Sequence, residues 1–126
     1  MNDPKEGDNL FLYGTLRTGQ RAFYKLEGKV DYLGLTTLSG ASLYHLGGFP
    51  GLKLEDNGTI RGELFRVTDK TLFQTLDKYE GYPYLYDRQY LETTDGPAWV
   101  YVFNGEVKPE TKIVSGDWFH PNKEVA

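Results

Sequence analysis

Only one segment of this chain carries the apolar spacing of an amphipathic helix. Within residues 69–79, the apolar side chains at positions 72, 73, 76 and 79 fall on one helical face. Thr68 is the expected N-cap, and Gly81, with Pro83 just beyond it, is the expected C-terminal stop. The chain is therefore expected to pack one principal helix against structure built from strands.

The remaining pattern consists of short strand-like runs divided by turn residues. Aromatic residues make up 15% of the chain and favour strands over a helical bundle. Asn57-Gly58 is the strongest hairpin signal and should precede a returning strand at residues 59–67, while Asp95-Gly96 should join the last two strands. The pattern predicts an α+β fold on a small, closed or half-closed sheet. Further strands are expected at residues 10–13, 30–37, 41–46, 51–54, 86–92 and 98–103, with a short helix at residues 22–26.

The length and the charge of the chain limit the number of its domains and the kinds of partner that it can have. Its 126 residues suit one domain, taken as residues 9–120 between a flexible N-terminus at residues 1–8 and a polar tail at residues 121–126. A net charge of −4 without a basic run argues against nucleic acid, and no apolar stretch approaches the ~20 residues of a membrane span. The N-terminus has no secretory pattern, so we expect a cytoplasmic monomer or small homo-oligomer.

Residue types narrow the chemistry that the chain can perform. The absence of cysteine excludes disulfides, thiolate zinc sites and cysteine nucleophiles. The two histidines, His45 and His120, stand alone, without the spacing to a second histidine or a carboxylate that is typical of metal sites. Neither a metal ion nor an organic cofactor is expected.

The loop after the first strand, residues 13–19, is one candidate binding element. Its two glycines, Gly14 and Gly19, would let backbone amides approach a small ligand closely. Successive amides can form a concavity that binds a carboxylate or a phosphate, although the Gly-Lys-Ser/Thr ending of a P-loop is missing. On spacing alone, the favoured interpretation of the loop is an ordinary turn that ends a strand.

Glu80, at the end of the predicted helix, is the candidate acid–base. A carboxylate there meets the negative end of the helix dipole, at a cost of about 0.3–1 kcal/mol. This field, with Tyr79, Tyr82 and Tyr84 nearby, should raise the pKa of the carboxyl, as general acid–base catalysis requires. The alternative is a solvated surface glutamate without a role.

Alternating tyrosines follow the helix. Tyr84, Tyr86 and Tyr90, with Arg88 among them, should share one face of a strand. Their hydroxyls could line a polar pocket, or the rings could pack the sheet with their polar tips outward, which is the interpretation favoured for most of them.

Taken in order, several short motifs give this chain a family resemblance over residues 9–118. It resembles the γ-glutamylcyclotransferase-like family, and Thr15 after Tyr13-Gly14 is similar to the γ-glutamylamine cyclotransferase branch, since the branch acting on γ-glutamyl amino acids typically carries Ser and Asn there. The motifs are Tyr13-Gly14-Thr15-Leu16, Gly48-Phe49-Pro50-Gly51, Gly62-Glu63-Leu64-Phe65, Leu76-Asp77, Glu80-Gly81, Pro83, Tyr86, Arg88 and Gly116-Asp117-Trp118.

The resemblance implies a fold and a set of site residues. The fold would be a small mixed β-barrel with flanking short helices, and a cavity would lie between the first loop and Glu80. Glu80 would be the acid–base and Tyr86 would border the cavity, whereas Arg88 could belong to the site or form a structural ion pair. Gly116, Asp117 and Trp118 would lock the barrel. The γ-glutamyl head group would be held by Tyr13, Gly14, Thr15 and Leu16.

The implied reaction is the intramolecular cyclisation of a γ-glutamyl amine or peptide to 5-oxoproline, with release of the free amine. One carboxylate can accept the proton of the attacking α-amine and return it to the leaving nitrogen. An ordinary Glu, with a pKa near 4.3, is mismatched to an amine near 8, so the chemistry requires a dry, aromatic site. Two alternatives remain: a non-catalytic binding module for a γ-glutamyl or amino-acid-like ligand, and a pathway-specific γ-glutamyl deprotecting enzyme.

Overall fold

The computed structural model describes residues 3–120 apart from the side chain of Asp56, so the predicted polar tail at residues 121–126 lies outside the described residues. One six-stranded sheet, one α-helix and two short 3₁₀ helices, Phe23–Leu26 and Pro109–Thr111, make up this part of the chain. The α-helix is α1 (Thr71–Glu80), and the strands are β1 (Asn9–Leu12), β2 (Val30–His45), β3 (Pro50–Val67), β4 (Tyr86–Thr93), β5 (Gly96–Phe103) and β6 (Lys112–Ile113).

The sheet is mixed, with the strand order β4-β5-β1-β3-β2-β6. β1 and β5 pair in parallel, and the other neighbours are antiparallel. The predicted α+β fold with a mixed sheet and a principal helix is confirmed. The predicted short helix at residues 22–26 corresponds to the first 3₁₀ helix.

The sheet curves strongly, but it does not close. Thr94, between β4 and β5, donates its N–H to the carbonyl of Thr37 in β2 at 3.0 Å. The Lys53 amine in β3 reaches the carbonyls of Phe103 and Gly105, each at 2.9 Å. Within residues 3–120 the edge strands β4 and β6 do not pair with each other, so a barrel describes this sheet only loosely.

The longest pairing in the sheet joins β2 and β3, and it corrects the predicted hairpin. These strands pair from Val30 opposite Val67 to His45 opposite Pro50, so the chain reverses at residues 46–49. Asn57-Gly58 lies inside β3, where residues 55–58 bulge opposite Gly40, and the prediction that it forms the hairpin turn is wrong. The signal marked a true irregularity, because Asn57 has a φ of 68°.

α1 begins two residues later than the predicted helix at residues 69–79 and ends one residue later, at the predicted stop before Gly81. The prediction of Thr68 as N-cap is wrong: the Asp69 carboxylate instead accepts hydrogen bonds from the Thr71 N–H at 3.0 Å and hydroxyl at 2.7 Å. Gly81 ends the helix in the left-handed region with φ 70° and ψ 34°, as the sequence predicts. Glu80 is therefore the last helical residue.

The two faces of the sheet bury separate apolar clusters. Alternation along β1 sends Leu10 and Leu12 towards α1 and Phe11 towards the other face. The helix contributes Leu72, Phe73 and Leu76 to the first cluster. No helix within residues 3–120 has the length and apolar character to cross a membrane.

Candidate active site

A cavity of about 230 Å³ opens where the end of β1, the last turn of α1 and the β2–β3 turn meet. Six residues that the sequence or the resemblance assigned to the site line it together: Tyr13, Gly14, Thr15, Leu16, Glu80 and Tyr86. The other lining residues are Phe11, Leu12, Arg21, Phe49, Pro50, Tyr79, Leu85 and Tyr101. Two of these fourteen side chains carry a formal charge, Glu80 and Arg21.

Packing around the first loop explains the glycine at position 14. A Cβ added to Gly14 would lie 2.6 Å from Cγ of Pro50, too close for two carbon atoms. The loop is also tied to the helix, because the hydroxyls of Thr15 and Tyr79 share a hydrogen bond of 2.8 Å. The loop and the end of α1 are therefore held against each other across the cavity.

The loop also carries backbone donors without an acceptor. Within the described part of the chain, no hydrogen bond satisfies the N–H groups of Gly14, Thr15 and Leu16, although all three residues are buried. Two of the three carbonyls are used, since Gly14 accepts from the Arg17 N–H and Thr15 from the Ala22 N–H, each at 3.0 Å. Buried N–H groups without a partner are rare, so a ligand oxygen at this loop would satisfy donors that the protein leaves open.

Glu80 projects from the end of α1 into the wall of the cavity and is partly buried. Burial raises the pKa of this carboxyl from its ordinary 4.5 to about 7, because removal from water disfavours the charged form. The direction agrees with the sequence expectation, although burial rather than the helix end is the cause. The carboxyl of Glu80 is therefore divided between its acid and base forms near neutral pH.

Three tyrosines line the cavity beside Glu80 with their hydroxyls engaged elsewhere. Tyr13 donates to the Tyr101 carbonyl at 2.6 Å, Tyr86 to the Pro50 carbonyl at 2.9 Å, and Tyr101 to Oδ1 of Asp77 at 2.6 Å. Burial raises the pKa of all three phenols, and the nearby Glu80 charge raises them further. The phenols therefore stay neutral and give the cavity aromatic walls.

The other residues of the predicted tyrosine cluster lie away from the cavity. Arg88 points its Nε at Oδ1 of Asp77, 3.4 Å away, and stacks over Tyr82, so it adopts the ion-pair role that the sequence left open. Tyr84 is 88% exposed and precedes β4, while Tyr90 packs against Trp99 with ring centroids 4.9 Å apart. The predicted strand face is thus divided among different environments.

Sequence reasoning missed a buried ion cluster behind the first loop. Nη1 of Arg17 lies 3.1 Å from Asp117 Oδ1, and its Nε lies 3.6 Å from Glu63 Oε2. Glu63 also accepts the Thr18 N–H at 2.8 Å. The cluster ties the loop to β3 and to the segment around Asp117, in agreement with the locking role that the resemblance implied.

The residues of the cavity combine an acid–base group with open hydrogen-bond donors. The Glu80 carboxyl, with its raised pKa, and the open backbone donors of the first loop line the same largely apolar cavity, an arrangement that suits acid–base chemistry. Among the side chains that the structure describes, no group of three His, Asp or Glu residues could hold a metal ion. Residues 10–120 match the family model described as "Gamma-glutamyl cyclotransferase, AIG2-like", and the chain belongs to this family.

Individual relatives agree with this assignment. A γ-glutamylcyclotransferase family protein, ytfP, of Citrobacter rodentium is 37% identical over 109 residues, 86% of this chain and 93% of that protein. The γ-L-glutamyl-butirosin B γ-glutamyl cyclotransferase of Niallia circulans is 33% identical over 121 residues, which cover 87% of this chain and 74% of that protein. A crystal structure of an uncharacterized Pyrococcus horikoshii protein superposes with a TM-score of 0.76 at 26% sequence identity. The superposition covers 88% of this chain and 89% of that protein. The family supports γ-glutamyl cyclotransferase activity in general.

Proposed function

We propose that the protein cyclises a γ-glutamyl amine or peptide to 5-oxoproline and releases the free amine, with Glu80 as general acid and base. The observation that carries this proposal is the Glu80 carboxyl with its pKa raised to about 7 in the wall of the cavity. In the reaction the substrate's α-amine attacks its own γ-carbonyl carbon. The bond between that carbon and the leaving nitrogen then breaks.

The raised pKa brings Glu80 close to the group that it must deprotonate. An α-amine has a pKa near 8, so transfer to a carboxylate of pKa 4.5 would be uphill by about 5 kcal/mol. With Glu80 at about 7 the same transfer is uphill by about 1.4 kcal/mol. The protonated carboxyl can then deliver its proton to the leaving nitrogen, which restores the base.

The open N–H groups of Gly14, Thr15 and Leu16 supply the second part of the mechanism. Such donors bind a carboxylate or stabilise the oxyanion that forms when the carbonyl is attacked. We assign them to the α-carboxylate of the glutamyl group, with the γ-carbonyl turned towards Glu80. The buried aromatic walls exclude water, which favours attack by the tethered amine over hydrolysis.

The size of the cavity fits a small head group. Its volume of about 230 Å³ is below the roughly 300–1,000 Å³ of sites that enclose drug-sized ligands. A glutamyl group would fill such a space, and the leaving amine would extend towards solvent. A second candidate function follows: removal of a γ-glutamyl group from a larger amine, which the butirosin-related name of the Niallia circulans relative favours.

The proposal is tested by 5-oxoproline release from a panel of γ-glutamyl compounds with leaving amines of increasing size. We expect Glu80→Gln to lower turnover by at least about 100-fold, the low end for the loss of acid–base catalysis, with the fold retained. The matched control is Glu92→Gln, since Glu92 is an exposed glutamate in β4 outside the cavity. Near-normal turnover by Glu80→Gln would remove Glu80 from the mechanism, and turnover of bulky amines alone would favour the second candidate.

A further inference from the structure

The cavity is closed at one end and open at the other, as the solvent exposure of its lining side chains indicates. Phe11 and Tyr101, at the closed end, are at most 1% exposed, whereas Tyr79 and Leu85 are 39% and 50% exposed. Arg21 is on the exposed side and contributes the cationic side chain of the lining. When the γ-glutamyl head group of a substrate occupies the closed end, the leaving part of that substrate therefore lies near Arg21.

The Arg21 guanidinium is held in place without being neutralised. One Nη2–H donates to the carbonyl of Gly48, in the β2–β3 turn, at 3.1 Å. Arg17, Arg66 and Arg88 each pair with a carboxylate, but none of the Asp and Glu side chains that the structure describes lies within ion-pair distance of Arg21. A guanidinium has five N–H donors in a planar fork, so most of its donors remain open beside the cavity.

We propose that Arg21 binds a carboxylate on the leaving part of the substrate and thereby selects γ-glutamyl amino acids and peptides over γ-glutamyl amines that lack this group. The inference rests on the proposed function. There the loop amides take the α-carboxylate, so the anion that reaches Arg21 belongs to the leaving amine. The guanidinium fork matches a carboxylate through two parallel hydrogen bonds.

This substrate preference differs from that of the γ-glutamylamine cyclotransferase branch, which the chain resembles at Thr15. Thr15 lies at the loop that holds the head group, which all γ-glutamyl substrates share, whereas Arg21 lies where substrates differ. The rim beside Arg21 also contains Phe49 and Leu85, which can contact an apolar side chain. The substrate class assigned by this side of the cavity is a γ-glutamyl amino acid with an apolar side chain and a free carboxylate.

The test compares γ-glutamylalanine with γ-glutamylalaninamide, which differ in the leaving group's carboxylate, using 5-oxoproline release. We expect the wild-type kcat/KM to favour the acid by about tenfold at low salt, and the preference to shrink with added NaCl. In Arg21→Gln the ratio should fall to within about twofold of unity, and Arg21→Lys should retain part of it. The control is Lys25→Gln, which removes a nearby positive charge outside the cavity and should leave the ratio as in wild type.

The outcomes separate this inference from the function on which it rests. Equal kcat/KM for both substrates in the wild type, or an unchanged ratio in Arg21→Gln, would overturn the role of Arg21 while the cyclotransferase reaction stands. An equal loss on both substrates would overturn it too, because Arg21 would then hold the glutamyl head. If the wild-type protein forms 5-oxoproline from other γ-glutamyl compounds of the panel but from neither of these two, the role of Arg21 is overturned and the cyclotransferase reaction stands. If it forms 5-oxoproline from no compound of the panel, the proposed function fails and this inference fails with it.

Discussion

The chemistry assigned to Glu80 depends on where a single helix stops. Gly81 adopts a left-handed conformation with φ 70°, which ends α1 and leaves Glu80 as its last residue beside the cavity. Helical residues advance by about 100° each, so the position of Glu80 in α1 sets the direction of its side chain, and the stop at Gly81 sets the path of the chain that follows. The raised pKa of Glu80 thus follows from a local capping signal combined with burial that the rest of the fold supplies.

The raised pKa has a consequence for stability that can be measured. Glu80 titrates at about 7 in the folded protein and near 4.5 when unfolded, so the folded state binds the proton more tightly. The contribution of this group to stability is complete below about pH 4.5 and is lost as the pH rises through about 7. Relative to Glu80→Gln, the wild type should therefore lose unfolding free energy between pH 5 and pH 8 in urea titrations. A difference that stays constant over this interval would contradict the raised pKa.

Gly14 packs so closely against Pro50 that a side chain at this position should disturb the cavity. Its Cβ position lies 2.6 Å from Cγ of Pro50, so Gly14→Val forces the loop or Pro50 to move and costs about 1–3 kcal/mol of stability. Because both residues line the cavity, we expect the KM for γ-glutamyl substrates to rise, with a milder effect in Gly14→Ala. The measurement is KM alongside urea unfolding. Folded Gly14→Val protein with unchanged KM would return the loop to the role of an ordinary turn.

At the scale of elements, local signals in the sequence were sufficient for α1 but not for β2 and β3. The apolar face and Gly81 are encoded within a dozen residues, and the structure confirms both. The pairing of β2 with β3 is non-local, so the local Asn57-Gly58 signal predicts a chain reversal at a point where the strand continues. Gly58 is required there for a different reason: an added Cβ would lie 2.1 Å from the Ala41 carbonyl oxygen.

The ion cluster that joins the first loop to the end of the domain predicts a contrast between two aspartates. Asp117 pairs with Arg17, which is almost fully buried, so Asp117→Ala leaves a buried cation short of a partner and should cost about 3 kcal/mol. Asp31 pairs with Arg66 at 3.0 Å with both side chains about half exposed, so Asp31→Ala should cost less than about 1 kcal/mol. Urea unfolding of both variants checks this contrast. Equal losses of unfolding free energy would contradict the stabilising role of the ion cluster.

At the scale of the whole molecule, curvature of the sheet brings distant segments into one cavity. Tyr13 and Glu80 lie far apart along the chain, yet both line the same space. Ordered motifs were sufficient to propose these residues, because the family resemblance carries their arrangement. Arg17 and Arg21 could not be assigned from the sequence, since Asp117, one partner of Arg17, lies 100 residues away and Arg21 gains its position from Gly48 in the β2–β3 turn.

The central claim, cyclisation by a tethered amine, is tested most directly by the fate of the glutamyl half of the substrate. The measurement is mass spectrometry of the product formed from γ-glutamylalanine in ¹⁸O-labelled water. In the proposed reaction the substrate's own amine attacks and no water adds to the carbonyl, so we predict 5-oxoproline as the direct product without ¹⁸O. Glutamate carrying one ¹⁸O atom as the direct product would contradict the account, because it would identify a hydrolase on this fold.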